Sequence, residues 1–137
     1  VSFREERIGR AAAETDESGG FACDHGPIVL DLAAALRARG LRVGNDDWRD
    51  LLIADGGGRI GWALQVIPDR SERAVFDGVA RLLIYGADLP EGCRRVLVIP
   101  DGADRPHTER LKKLHVDLLP FAWDENRAVF PDLAALL

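Results

Sequence analysis

A chain of 137 residues has room for one domain with a real core and too little for two ordinary ones. Hydrophobic residues at 47% and charged residues at 30% give a globular composition, and the longest uncharged run, Ile60 to Pro68, is too short to span a membrane. The formal charge of −5, from 18 Lys and Arg against 23 Asp and Glu, excludes a polybasic nucleic-acid coat but not a local basic patch.

Residues 1–22 read as an N-terminal arm and linker. Ser2 to Ala13 could form a helix, with Phe3 and Ile8 as its few large apolar residues, and an acidic, turn-rich run from Glu14 to Gly20 follows. A partner-binding helix is the functional alternative. The domain proper, 23–137, opens with a helix: Gly26-Pro27 suits a first turn, and Ile28, Leu32, Ala35 and Leu36 fall on one face. Gly40 stands where a glycine ends a helix. Leu41 to Val43 is a short strand, and Gly44 to Arg49 is polar and turn-like. Asp50 to Ala54 and Arg59 to Ile67 form a hairpin across Asp55-Gly56-Gly57-Gly58. This glycine cluster lacks the following Lys-Ser or Lys-Thr of a phosphate loop and leads into a strand rather than a helix.

Pro68 ends the second hairpin strand. Ser71 can cap a helix whose inward face is Val75, Val79, Leu82 and Leu83, stopped by Gly86. Arg95 to Ile99 reads as a strand buried on both faces. Pro106 to Leu114 is a short helix with Leu111 and Leu114 inward, Val116 to Phe121 a further strand, Trp123 to Arg127 a loop, and Pro131 to Leu137 a terminal helical turn. The order α-β-β-β-α-β-α-β implies an α/β fold with one mixed sheet, right-handed crossovers and helices on both faces.

This order resembles the restriction-endonuclease-like fold of the PD-(D/E)XK nuclease superfamily, over Pro27 to Phe121 and most closely in its small bacterial members. In that family an Asp opens the second strand in a pattern like Asp-Leu-Ile-Ala. A hairpin then leads to a third strand carrying (Asp/Glu/Gln)-X-Lys. Here Asp50-Leu51-Leu52-Ile53-Ala54 matches the former, and Leu64-Gln65-Val66-Ile67 falls where the latter belongs. The strand Val96 to Ile99, then Pro100-Asp101-Gly102 and a helix, fits the later half.

The family chemistry explains the motif. Phosphodiester hydrolysis uses divalent cations to activate water and balance charge on the leaving oxygen, and Mg²⁺ or Mn²⁺ takes oxygen ligands. Residues i and i+2 share a strand face, so the acid and the Lys point the same way. The resemblance therefore implies Asp50 and Gln65 as metal and catalytic residues. Gln at the acid position occurs in active members, where its carbonyl oxygen can ligate. The Lys position holds Ile67, which has neither charge nor donor. Lys112 and Lys113, the only lysines, lie on the late helix. Arg70 or Arg73 could supply charge instead: a poor base, but able to hold a phosphate. Asp69 is an extra carboxylate past Pro68. A structural role, as a strand-start residue for Asp50 and a half-buried polar residue for Gln65, stands beside the catalytic one.

The other candidates have plain readings. His25, His107 and His115 have no i, i+4 partner for zinc, and structural roles at helix ends suffice. Cys23 and Cys93 form no CxxC pair and have no neighbouring His, so inert reduced thiols in a cytoplasm are expected. Ser2, Ser18 and Ser71 show no Gly-X-Ser-X-Gly. The basic groups Arg37, Arg39 and Arg42, then Arg73, then Arg94 and Arg95, then Arg105, Arg110, Lys112 and Lys113 could meet phosphates. Solvated faces are the plainer reading. Trp48, Trp62 and Trp123 read as packing residues rather than base-stacking platforms.

The arginine bias and abundant Ala and Leu suggest a GC-rich, bacterial genome. The chain begins at Val1 without methionine, so either a start residue was lost or rewritten or this is a piece of a longer protein. No signal peptide is expected. The leading expectation is a non-catalytic domain of the nuclease fold, cytoplasmic and not membrane-bound, an accessory module for protein or nucleic acid in DNA processing or defence, with no cofactor. The alternatives are an active Mg²⁺- or Mn²⁺-dependent nuclease using Asp50, Gln65 and Arg70, and an unrelated α/β ligand-sensing or assembly module. The apolar end, Leu133 to Leu137, makes homodimerisation plausible.

Overall fold

The computed structural model describes residues 25–46, 49–102 and 107–137. The expected N-terminal arm over 1–22, and Cys23, Trp48, Arg105 and Pro106, lie outside the described residues.

Helix α1 (His25–Ala38) carries Pro27 in its first turn and buries Ile28, Val29, Leu32, Ala33 and Leu36. It ends as its glycine demands. Gly40 takes φ 82° and its N–H donates to the Arg37 carbonyl, while the Leu41 N–H reaches back to Leu36. Strands β1 (Arg42–Gly44), β2 (Leu51–Ala54) and β3 (Ile60–Val66) form an antiparallel meander. The glycine-rich link between β2 and β3 is a hairpin turn: the Asp55 carboxylate accepts from the Gly57 and Arg59 N–H groups at 2.9 and 3.0 Å.

Helix α2 (Glu72–Tyr85) starts at Ser71, whose hydroxyl accepts from the Ala74 N–H at 3.1 Å. It crosses to β4 (Arg94–Pro100), parallel to β3; α3 (Thr108–Lys113) then crosses to β5 (Val116–Asp124), parallel to β4. The six strands lie in chain order, from β1 to β6.

The loop expected over Trp123 to Arg127 is instead the tip of a hairpin. β5 continues to Asp124 and returns as β6 (Arg127–Val129), antiparallel, before α4 (Leu133–Leu136) closes the chain. Glu125 and Asn126, between the strands, both have positive φ, at 49° and 68°. A two-residue turn with φ above zero at both centres matches the twist of the flanking strands.

Helices cover both sheet faces. On one, α1 and α4 pack over Val43, Leu51, Ile53, Leu64, Val66, Val96, Val98, Leu119 and Phe121. On the other, α2 and α3 set Val75, Val79, Leu82 and Leu111 on Ile67, Leu97 and Ile99. Two expected inward residues are not inward. Leu83 is 36% exposed, because the buried stripe Val75, Gly78, Val79, Leu82 has turned past it; Leu114 is 47% exposed, because the six-residue α3 ends before it. Among the described residues no helix is long and apolar enough to cross a membrane.

Candidate functional site

Asp50 stands one residue before β2, just beyond the last β2–β3 pair, Leu51 with Leu64. No β2 backbone lies opposite the end of β3 there, and the Asp50 side chain takes its place. The Val66 N–H donates to Asp50 Oδ2 at 2.8 Å. His25 Nε2, at the start of α1, lies 3.0 Å from the same oxygen. One carboxylate thus ties together the beginnings of α1 and β2 and the end of β3. Both side chains are largely buried, at 27% exposure for His25 and 16% for Asp50.

The pair shapes the titration of His25. Burial pulls its pKa down, but the hydrogen bond and charge of Asp50 outweigh this, with the Arg81 guanidinium opposing; the net result lies above the ordinary value. The pair therefore stabilises the fold fully below the unfolded-state histidine pKa, and this contribution fades as pH rises through the raised folded value. In Asp50→Asn the neutral amide removes the charge attraction, leaving burial and Arg81. The His25 pKa is then expected to fall below the ordinary value. Proton NMR titration of the ring checks this, and an unchanged pKa would show that the contact is not formed.

Beside the pair lies a pocket of about 210 Å³, walled by the end of β3 and by α2, whose polar groups are His25, Gln65, Asp77 and Arg81. Gln65 is 5% exposed and lines this pocket. The approach of α2 is set by Gly78: a Cβ there would lie 2.7 Å from Leu97 Cδ1 and 2.8 Å from Ile67 Cγ2. Glycine brings helix and sheet together, and its neighbours Asp77 and Arg81 arrive at the pocket with it.

The expected site residues divide. Asp50 and Gln65 meet at the same end of neighbouring strands. Ile67, at the Lys position, is 4% exposed and packs under α2 with Val75 and Val79. Arg70 is drawn away from the pocket and lies against Gly102, after β4, closely enough that a Cβ there would overlap its guanidinium. Arg73 is exposed on the first turn of α2 and does not line the pocket. Asp69 accepts from the Ser71 N–H at 2.8 Å, and hydrogen bonds from Ser71 lower its pKa. Arg37, Arg39 and Arg42 sit at the opposite end of α1, with Arg37 about 18 Å from His25 by the helical rise.

Sequence reasoning missed His25, Asp77 and Arg81 as site residues. The signal for the last two was a glycine inside a helix, which marks close approach. It also missed buried Arg49, 7% exposed, which pairs with Asp46 and donates to the Tyr85 carbonyl at the end of α2. His107 is structural: Nε2 contacts Glu72 at 2.9 Å and Nδ1 contacts Arg110 at 3.1 Å, joining α3 to α2. Trp62 packs on the core, and Trp123, 47% exposed, sets its ring edge-on to Phe121 at 6.0 Å.

Among the described residues no three His, Cys, Asp or Glu side chains are grouped to hold a metal ion. A cation at Asp50 Oδ2 would compete with His25 and the Val66 N–H for that oxygen. The chain matches no family model, no curated protein and no solved structure.

Proposed function

We propose that this chain is a restriction-endonuclease-like domain of a bacterial DNA-processing or defence system that binds nucleic acid as an accessory module and does not hydrolyse phosphodiesters. The run α1, a three-strand meander, α2 and a parallel β4, with Asp50 at the head of β2, supports the resemblance. One observation supports the loss of chemistry: Asp50 Oδ2 is held by His25 and the Val66 N–H. Ile67 lies in the apolar layer beneath α2, so no ammonium reaches the pocket from that strand.

The test is calorimetric titration with Mn²⁺ on the wild type and Asp50→Ala, alongside cleavage assays on single- and double-stranded DNA and RNA. No saturable binding up to millimolar metal and no cleavage are expected, with salt-dependent nucleic-acid affinity retained. Metal binding and cleavage that both vanish in Asp50→Ala would restore the active nuclease. Absence of any nucleic-acid affinity would turn the reading toward a protein partner or an unrelated sensing role.

A further inference from the structure

We infer that the outer face of α2 is the interface of a two-fold symmetric dimer, in which it docks antiparallel on the same face of a second copy of this chain. The inference stands apart from the nucleic-acid reading above.

This face is apolar where a helix on a sheet is ordinarily polar. Phe76, Ala80, Leu83 and Ala87 recur at alternating spacings of four and three, along α2 and the 3-10 turn Gly86–Asp88 that continues it. Ile84 stands beside them. Phe76 is 52% exposed, Ile84 68% and Leu114, just past α3, 47%; with Leu83 they make four of the seven large apolar side chains exposed among the described residues. Scattered singly they would need no explanation, but gathered on one face they mark a contact surface. Between α2 and α3 the face deepens into a groove of about 520 Å³, lined by Val75, Phe76, Val79, Leu111 and Leu114. One wall is already set: the Phe76 ring lies 5.2 Å from the ring of His107, which contacts Glu72 and Arg110.

The pattern is complementary to itself. A two-fold axis through Ala80 sets each residue before it against the residue equally far after it on the second copy. Phe76 then meets Leu83 and Ile84 of the second copy, and the reverse contact follows by symmetry. At the axis Ala80 meets Ala80, and two methyl groups let the helices approach closely. The charges obey the same symmetry. Arg73, at one end of the stripe, comes beside Asp88 at the other. Asp77 comes within about 3 Å of helical rise of Arg81. All four are exposed, and each opposite-charge pair occurs twice. A parallel arrangement would instead set Arg73 on Arg73 and Asp88 on Asp88. A patch that fits its own copy closes a dimer and leaves no surface for further growth. One helix pair buries less than about 1,200 Å², so the association is weak and reversible.

The experiment is sedimentation equilibrium on the full chain from micromolar to millimolar concentration. The mass is expected to rise from 15.0 kDa to twice that, with a dissociation constant on the order of 10 µM. Ile84→Glu should weaken the dimer at least about tenfold. Its melting temperature in dilute solution should match the wild type's, because the side chain is exposed. Arg73→Glu and Asp88→Arg each set like charges together and should each weaken it about tenfold. An equimolar mixture of these two variants should regain the wild-type affinity, since every facing pair is then opposite in sign. A monomer at every concentration would overturn the dimer. Binding of an apolar dye to that monomer would leave the face to a different protein, and no dye binding would assign its cover to residues 1–22. A dimer indifferent to all three variants would also overturn this interface and place the contact elsewhere, as at Leu133 to Leu137. Weakening by Ile84→Glu without rescue in the mixture would overturn the antiparallel arrangement.

Discussion

Phe121→Ala is expected to remove about 4 kcal/mol of stability. Phe121 is 2% exposed in the core beneath α1 and contacts Phe130 and Trp123, with ring centroids 6.2 and 6.0 Å away. Truncation deletes the whole ring from a buried layer. The lost transfer energy and the cavity then add. Against a total of about 5–15 kcal/mol for an ordinary domain, this is a large fraction. Urea unfolding would show it as a lower midpoint with an unchanged slope. A loss below about 1 kcal/mol would mean that the β5–β6 hairpin does not close over this residue.

Gly78→Val is expected to be nearly as damaging, by about 3 kcal/mol, and Gly78→Ala to be milder. Two effects oppose each other in the alanine variant. Alanine favours a helix interior by about 0.8–1 kcal/mol. Its Cβ, however, would stand 2.7 Å from Leu97 and 2.8 Å from Ile67, and overpacking of this kind typically costs about 1–3 kcal/mol. The clash is with side chains fixed in the core, so overpacking wins and a net loss of about 1 kcal/mol follows for alanine. Valine adds two methyls and a poorer helix former, so nothing offsets it. If both variants proved as stable as the wild type, α2 would not lie this close to the sheet, and the pocket between them would be wider.

The two halves of the fold were not equally legible. Periodicity revealed α1, α2 and every strand through the start of β5, because Leu and Val at fixed spacing make a pattern of their own. The last hairpin was hidden. Its tip, Glu125-Asn126, carries no glycine, and Trp123 and Asp124 are exposed, so the end of β5 has no apolar alternation to betray it. Burial at the ends of helical stripes was overstated for Leu83 and Leu114, where the axis turns away or the helix stops.

The candidate site was half legible. Asp50 and Gln65 were placed on adjacent strands by the resemblance to the nuclease motif. Their company was not, because His25 lies 25 residues from Asp50 and reaches it only through the packing of α1. Arg81 was overlooked for a related reason: nothing in a helix's own pattern says which exposed residue overhangs a neighbouring strand. Arg70 was favoured for its closeness in sequence to β3, and the chain simply turns it toward Gly102.

The chain-order sheet also bears on how the protein is made. No strand has to be threaded between two that are already paired. As the polypeptide is synthesised from its N-terminus, each new strand meets a partner that has just emerged, and the sheet can lengthen one strand at a time. Contacts close in sequence favour rapid assembly. Among the contacts that must wait is the one from Asp31 to the Ala128 N–H, 97 residues apart, which only forms once β6 has been laid down.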